Sequence, residues 1–348
     1  MAGWCFTDSE LESALRGDTM LNVSLDLSNP CNLNCAYCFI EEKSSVRKLR
    51  RPDELTVEET MAILDDFAGA GARTVNLVGA GEPTIDPHFE TIIDAITARH
   101  MTPVVFTNGL RFSTDHRLVR WLYQKNCTIV IKYNSSSAAV EDAIVGRSGY
   151  TRAREQAVEL LRDAGFAGAT PTRLGFDTVA FGANYAELPE IHRLARTRNI
   201  YPIIADYIPT GRTNHGLFDG NAAVDLLDDM TGDFVMSALQ PLSALQRAAL
   251  VRKLSEIDAA LGVTRSADCA YYSGGRCTQL LGLYVDILGH IWPCVARQWR
   301  DQSVQLSPIG FWRDNDRPSL IWRSHPYLRH LRNTYTGACP YKNALRLS

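Results

Sequence analysis

The chain has 348 residues, 45% of them apolar, with 36 Lys+Arg against 39 Asp+Glu and a net charge of −3. That length accommodates one large domain plus a smaller one, and the near-balanced charge provides no sequence-wide basic field to recruit nucleic acid. Residues 1–20 lack the cationic start and apolar stretch of a signal peptide, and no apolar run reaches the ~18 residues of a membrane span, so a cytoplasmic protein without membrane contact is expected.

Residues 1–20 read as an N-terminal extension. From residue 21 short apolar runs alternate with amphipathic stretches. Strands are expected at 21–28, 74–78, 102–107, 128–134, 172–180 and 201–208, with helices at 56–69, 88–99, 115–125, 151–164 and 184–197 between them. Thr56 followed by Glu59 forms a capping box, and Gly165 ends a helix. This alternation predicts βαβ units and a parallel sheet. Six repeats fall short of a closed eight-stranded barrel, so the fold expected is α/β, a partial (β/α)6 TIM-like barrel over 21–220. Chemistry in such barrels collects in the loops after the strands. Residues 221–262 read as a helical connection whose amphipathic helix spans 243–261. The remainder, 263–348, is rich in Gly, Pro, Trp and Cys and poor in periodicity. A segment of that kind holds its shape with help from a bound metal cluster.

Nine cysteines are many for a protein kept in a reducing compartment, where clustered thiols serve more often as ligands than as disulfides. Three of them, Cys31, Cys35 and Cys38, are spaced i, i+4 and i+7. On a loop this spacing lets three sulfurs converge on one small object, and three thiolates on a cubane leave its fourth iron open. Structural zinc wants four protein ligands, and no fourth lies nearby.

The Cys31-xxx-Cys35-xx-Cys38 motif, with Tyr37 before its last cysteine and placed after the first strand, resembles the signature of the radical S-adenosylmethionine (SAM) superfamily. The resemblance implies a [4Fe–4S] cluster whose open iron takes SAM, and cleavage of SAM to a 5′-deoxyadenosyl radical that abstracts a substrate hydrogen. It also implies a one-electron donor such as flavodoxin or ferredoxin. Gly81-Glu82-Pro83, after the second strand, resembles the family's Gly-Gly-Glu-Pro motif, with Ala80 in the place of one glycine. In the family this motif binds the amino group of SAM. Glycine permits close backbone approach, and a carboxylate accepts from an ammonium. Asn108-Gly109 matches the family's Thr-Asn-Gly stretch. Lys132 and Asn134 stand where relatives carry Ser-x-Asp, and if register holds both face the interior; a lysine there is costly unless paired or functional. Arg147 lies where many relatives place an arginine, against the alternative of a plain surface residue. After the sixth strand, Tyr207, Ile208 and Arg212 fall in a turn that relatives pack against the adenine. Asp177 on the fifth strand is a further substrate ligand or base. Tyr37, Gly81, Glu82, Asn108, Asn134, Arg147 and Ile208 are thus candidates for the cofactor, and Lys132, Asp177, Tyr207 and Arg212 for substrate chemistry.

Toward the C-terminus, Cys277-x11-Gly289-x4-Cys294, with Cys269 before it and Cys339 after, resembles the first half of the SPASM auxiliary-cluster domain. Residues 285–291 read as a hairpin turning at Gly289. No further cysteine lies between Cys294 and Cys339, which brings the segment closer to the shortened "twitch" variant with one auxiliary [4Fe–4S] cluster. Four thiolates also suit tetrahedral zinc. Cys127 starts a strand at the end opposite the chemistry and reads as packing. Cys5 reaches the active site only if the N-terminal segment folds over the barrel mouth.

Within twitch and short-SPASM enzymes, hydrogen abstraction beside a hydroxyl leads either to dehydrogenation, with the electron passed to the auxiliary cluster, or to epimerisation through a thiol donor. No donor cysteine stands out beyond the cluster set. The expected activity is oxidation of a secondary alcohol on a small sugar, aminocyclitol or nucleoside-like molecule. Epimerisation and maturation of a ribosomally made peptide are the rivals. Against the last, many such maturases carry a leader-binding module of ~80 residues, and the first motif here begins at residue 31.

Overall fold

The computed structural model describes residues 1–40, 48–207, 239–263, 280–295, 300–301, 304–305 and 307–334. Ile208, Arg212, Cys269, Cys277, Cys339 and the first part of the 221–262 connection lie outside these residues.

Six parallel strands run in order as β1 (Asn22–Leu25), β2 (Thr74–Leu77), β3 (Thr102–Thr107), β4 (Thr128–Lys132), β5 (Leu174–Ala180) and β6 (Tyr201–Asp206). The first five are followed by outer helices: α2 (Val57–Gly69), α3 (Phe89–Ala98), α4 (His116–Gln124), α5 (Ala138–Val145) and α6 (Tyr150–Asp163) after β4, and α7 (Leu188–Thr197). The result is the expected partial (β/α)6 barrel. Its core lies between strands and helices: Ile63, Leu64 and Phe67 of α2 and Ile92, Ile93 and Ile96 of α3 are buried against strand residues such as Val75, Leu77 and Val105. Burying one such side chain contributes about 1.5–3 kcal/mol. The capping box at Thr56 and Glu59 is formed, and Gly165 takes the left-handed conformation just past α6, at φ 98°.

Three features depart from the expected pattern. The N-terminal extension contains a helix, α1 (Asp8–Arg16), opened by its own Thr7–Glu10 capping box. A short helix, α5, fills the stretch after β4. Ladder pairing of β1 stops at Leu25, because Ser28 gives its carbonyl to Gly81 instead, at 3.0 Å.

Residues 1–4 cross the lower end of the barrel, where the strands begin. Ala2 donates to the Thr172 carbonyl at 2.9 Å. The hydroxyls of Thr74 and Thr128, which start β2 and β4, donate to the carbonyls of Gly3 and Ala2 at 2.9 and 3.0 Å. The segment therefore forms a floor, not a cover over the mouth, and Trp4 lines the interior from below. Cys5, beside it, packs against the buried cluster that holds Val104 and Val130.

On the outer side, helix α8 (Ala244–Ala260) buries Leu250, Leu254, Ile257 and Asp258. Asp258 meets His192 of α7 at 2.6 Å. The C-terminal segment returns to the main sheet. β7 (Tyr284–Val285) pairs in parallel with β1, then turns at Gly289, φ 91°, into antiparallel β8 (His290–Trp292). A two-stranded piece, β9 (Arg300–Asp301) with β10 (Val304–Gln305), follows. β11 (Gly310–Phe311) pairs with β8, and α9 (Pro318–Ser324) and α10 (Pro326–Thr334) pack beyond it. The hairpin expected around Gly289 is present, and it extends the barrel sheet beside β1. Among the described residues no helix is long and apolar enough to cross a membrane.

Candidate active site

A cavity of about 460 Å³ opens inside the barrel. Ser24, Asn76, Phe106, Lys132, Asp177 and Ala205, one from each of the six parallel strands, all line it. Each sits on the strand face that points inward, as the two-residue period of a strand dictates.

The loop carrying the first three cysteines is braced on several sides. Glu82 donates its backbone N–H to the Pro30 carbonyl at 2.8 Å, and Asn34 and Ala36 donate to the carbonyls of Val145 and Ile144 at the end of α5, at 3.1 and 2.7 Å. The Asn108 side chain donates to Asn32 Oδ1 at 2.7 Å. A Cβ added at Gly81 would lie 1.9 Å from the Pro30 carbonyl oxygen and 2.5 Å from that of Asn29. Only glycine lets the two motif loops close on each other.

Cys31, Cys35 and Cys38 are not disulfide-bonded, each is partly exposed, and all three line the cavity. Among the described residues no three His, Cys, Asp or Glu side chains close around a single ion. Three thiols with no fourth protein ligand among the described residues suit a multi-iron cluster with one open iron better than four-coordinate zinc.

Glu82 is buried, and burial raises its pKa against the pull of its donors. Its Oε1 accepts from the hydroxyls of Thr84 and Thr107, both at 2.6 Å, and its Oε2 accepts from the Asn108 N–H at 2.8 Å. The carboxylate thus ties the ends of β2 and β3 together at the cavity wall. Gly81 and Asn108 line the same wall.

Asn134 is fully buried and is not among the residues lining the cavity. Its Nδ2 donates to Tyr37 Oη at 2.9 Å and to Glu141 Oε1 at 3.3 Å, while its Oδ1 accepts from Val179 N–H at 3.0 Å. With every polar atom engaged, Asn134 serves the cysteine loop through Tyr37 and does not face the interior beside Lys132 as its register suggested. Glu141 accepts from the N–H groups of Asn134 and Ser135 at 3.0 and 2.6 Å and pairs with fully buried Arg154 at 3.3 Å. Burial raises the Glu141 carboxyl to about 7 although Arg154 opposes the shift. Arg154 lies 3.7 Å over the Tyr133 ring.

Lys132 and Asp177 face each other across β4 and β5 and form a 2.5 Å ion pair on the cavity wall. Lys132 Nζ also stands 5.7 Å over the Tyr37 ring. Pairing answers the cost of a lysine inside a barrel. Tyr207 lines the cavity and meets Phe181 edge-on, 6.4 Å between ring centroids. Arg147 is exposed and donates to the Asn32 carbonyl at 3.3 Å, so it touches the cysteine loop from outside the cavity.

Cys294, just past β8 and not disulfide-bonded, lines this same cavity from the β7 side of β1, opposite β2. Cys127 is buried, its thiol pushed up to about 12 by that burial, in keeping with a packing role. Sequence reasoning passed over Asn22, Ser24, Asn76, Trp4 and Phe106, all of which line the cavity. The signal was available: polar residues at every second position of β1, and an asparagine between Val75 and Leu77 of β2.

The fold and the three-thiol loop define a radical SAM domain. Residues 26–195 match the radical SAM superfamily, and the chain belongs to it; its cofactors are a [4Fe–4S] cluster and SAM. The mycofactocin maturase MftC of Mycobacterium tuberculosis (strain ATCC 25618 / H37Rv) is 32% identical over 203 residues, 58% of this chain and 49% of the relative. GTP 3′,8-cyclase 1 of the same organism is 28% identical over 202 residues, 56% of this chain and 54% of the relative. The chain thus spans about half the length of these curated relatives. Among solved structures, Streptococcus suis SuiB bound to the precursor peptide SuiA superposes with a TM-score of 0.62 at 13% identity, covering 93% of this chain and 69% of that one. At that identity the likeness concerns the fold.

Proposed function

We propose that this radical SAM enzyme oxidises a secondary alcohol of a small sugar, aminocyclitol or nucleoside-like molecule to a ketone. The observation that carries the reading is the 2.5 Å Lys132–Asp177 pair on the wall of the cavity that Cys31, Cys35, Cys38 and Cys294 also line. Cys31, Cys35 and Cys38 would hold the cluster that, with SAM bound, would supply the radical chemistry needed to remove a hydrogen atom from the carbinol carbon. Asp177 takes the hydroxyl proton, and Lys132 fixes the direction of its carboxylate. Cys269, Cys277, Cys294 and Cys339, in a SPASM/twitch-like segment over 263–348, would hold a second cluster, which would supply an acceptor for the remaining electron. Gly81, Asn108 and Tyr207 at the upper wall are the SAM and substrate contacts this arrangement offers, and a flavodoxin or ferredoxin is the fitting reductant. Among the described residues, the cysteines on the cavity wall are Cys31, Cys35, Cys38 and Cys294, each assigned here to a cluster, which favours oxidation over epimerisation.

The test is anaerobic reconstitution, with about eight irons per chain expected for two clusters, followed by turnover with SAM and candidate alcohols. Formation of 5′-deoxyadenosine with a product two mass units lighter supports the reading. An unchanged product mass means epimerisation, and S-adenosylhomocysteine means methyl transfer; either overturns it. Peptide modification is the second reading, favoured by the names of MftC and SuiB, and a mass change in a candidate precursor peptide would install it instead.

A further inference from the structure

The lower part of the cavity carries polar groups that the oxidation above does not use. Asn22 and Ser24 of β1 and Asn76 of β2 line it together. Register sets Ser24 directly beside Asn76. The Asn76 Nδ2 donates to the Asn22 carboxamide oxygen and, at 3.3 Å, to Ser24 Oγ. The Asn76 Oδ1 is buried without a partner. An acceptor left without a donor in a buried site is destabilising, and this one belongs to a side chain that lines the cavity.

Two aromatic rings complete this end. Trp4 rises from the floor segment and meets Phe106 of β3 at 5.7 Å between centroids, tilted 54°. Both line the cavity. Lys132 is the sole cationic side chain among the described lining residues, and Asp177 already neutralises it. Among the described residues the lower cavity therefore offers stacking faces and carboxamide donors and acceptors, but no free counter-charge for a phosphate. A carboxamide matches the paired donor and acceptor edge of a nucleobase, and aromatic faces stack on its ring.

We infer that Asn76, held by Asn22 and Ser24, with Trp4 and Phe106 beside it, forms a subsite for the base of an unphosphorylated nucleoside. The inference rests on the reading that a small molecule is oxidised in this cavity, and it narrows that molecule's class. The base lies at the floor, and the ribose alcohols extend toward Lys132 and Asp177.

Calorimetric titration of the anaerobically reconstituted protein, with SAM saturating so that its own adenosyl site is filled, tests the subsite. The probes are uridine, cytidine, inosine and guanosine, their 5′-monophosphates, and myo-inositol. At least one nucleoside is expected to bind, its monophosphate and myo-inositol roughly tenfold or more weaker, and Asn76→Leu should weaken the nucleoside by a similar factor while SAM affinity is kept. Ser24→Ala, a smaller change on a half-buried residue, should weaken the nucleoside in the same direction and covers the case in which Asn76→Leu fails to fold. Absence of binding by all four nucleosides, equal binding of a monophosphate, preference for myo-inositol, or unchanged affinity in both variants overturns the subsite. A nucleoside that binds without losing two mass units on turnover leaves the subsite standing and sinks the dehydrogenase. Oxidation of a glycoside with no nucleoside binding does the reverse.

Discussion

The side-chain amide of Asn134 donates to the phenol oxygen of Tyr37 at 2.9 Å, joining the end of β4 to the loop that presents the three cysteines. Removing the hydroxyl by Tyr37→Phe leaves Asn134 its contact to Glu141 and should cost about 0.5–1.5 kcal/mol. Asn134→Ala strips partners from Tyr37, Glu141 and the Val179 N–H at once, so about 1–3 kcal/mol is expected, together with a larger fall in iron bound per chain. Thermal melting and iron analysis of the two variants check the order. Equal iron loading in Asn134→Ala and wild type would remove the link to the cysteine loop.

Gly81→Ala should abolish cluster assembly, because the new methyl group would meet the carbonyl oxygens of Pro30 and Asn29 at 1.9 and 2.5 Å, and both belong to the backbone that leads into Cys31. Gly69→Ala is the matched control. Nothing lies within 4 Å of a Cβ there, and alanine in a helix is favoured by up to about 1 kcal/mol. Iron content after anaerobic reconstitution separates the two.

Asp177→Asn should lower ketone formation by about 10²–10⁴-fold, the usual contribution of a positioned general base. The cysteine loop is untouched by this change, so 5′-deoxyadenosine should still form, now uncoupled from product. Lys132→Met should act in the same direction. The ratio of 5′-deoxyadenosine to product, followed by chromatography, is the measurement, and a ratio unchanged in both variants would take the pair out of the chemistry.

Glu141 makes stability depend on pH. Burial raises its carboxyl from 4.5 to about 7 in the folded chain, against the opposing pull of Arg154. The folded state therefore holds a proton that the unfolded state releases between these values, so this group stabilises most below about 4.5 and loses its contribution as pH rises through about 7. Glutamine at position 141 cannot ionise. The stability difference between Glu141→Gln and wild type should shift in the variant's favour by on the order of 1–3 kcal/mol from pH 5 to 7.5. Denaturant unfolding at several pH values reads this directly, and a pH-independent difference would contradict the shift.

Much of the barrel was legible in the sequence because its signals are local. The Thr56–Glu59 box, Gly165 and Gly289 each act through their own backbone, and the Cys31–Cys38 spacing is confined to one loop. What was not legible depends on contacts distant in sequence. Asn134 reads as an inward-facing strand residue, yet Tyr37, Glu141 and Val179, drawn from a loop, a helix and the next strand, take all its polar atoms. Glu82 carries a motif signal, but its bracing of Thr107 and Asn108 is visible only once β2 and β3 are side by side. Helix α1 carries a capping box as clear as that of α2, and was passed over because it precedes the first strand. Trp4 enters the cavity from residues that had no assigned place in the barrel.

A Cβ on Gly282 would stand 2.2 Å from the carbonyl oxygen of Asn22, so the start of the C-terminal hairpin is seated directly on the backbone of β1. Gly282, Leu283, Tyr284, Pro293 and Cys294 then supply one side of the cavity. Cys294, far away in sequence, consequently faces the same cavity as Cys31, Cys35 and Cys38. Cutting the chain after the outer helix would not release a working catalytic half; it would bare the unpaired edge of β1 and open the reaction chamber to water.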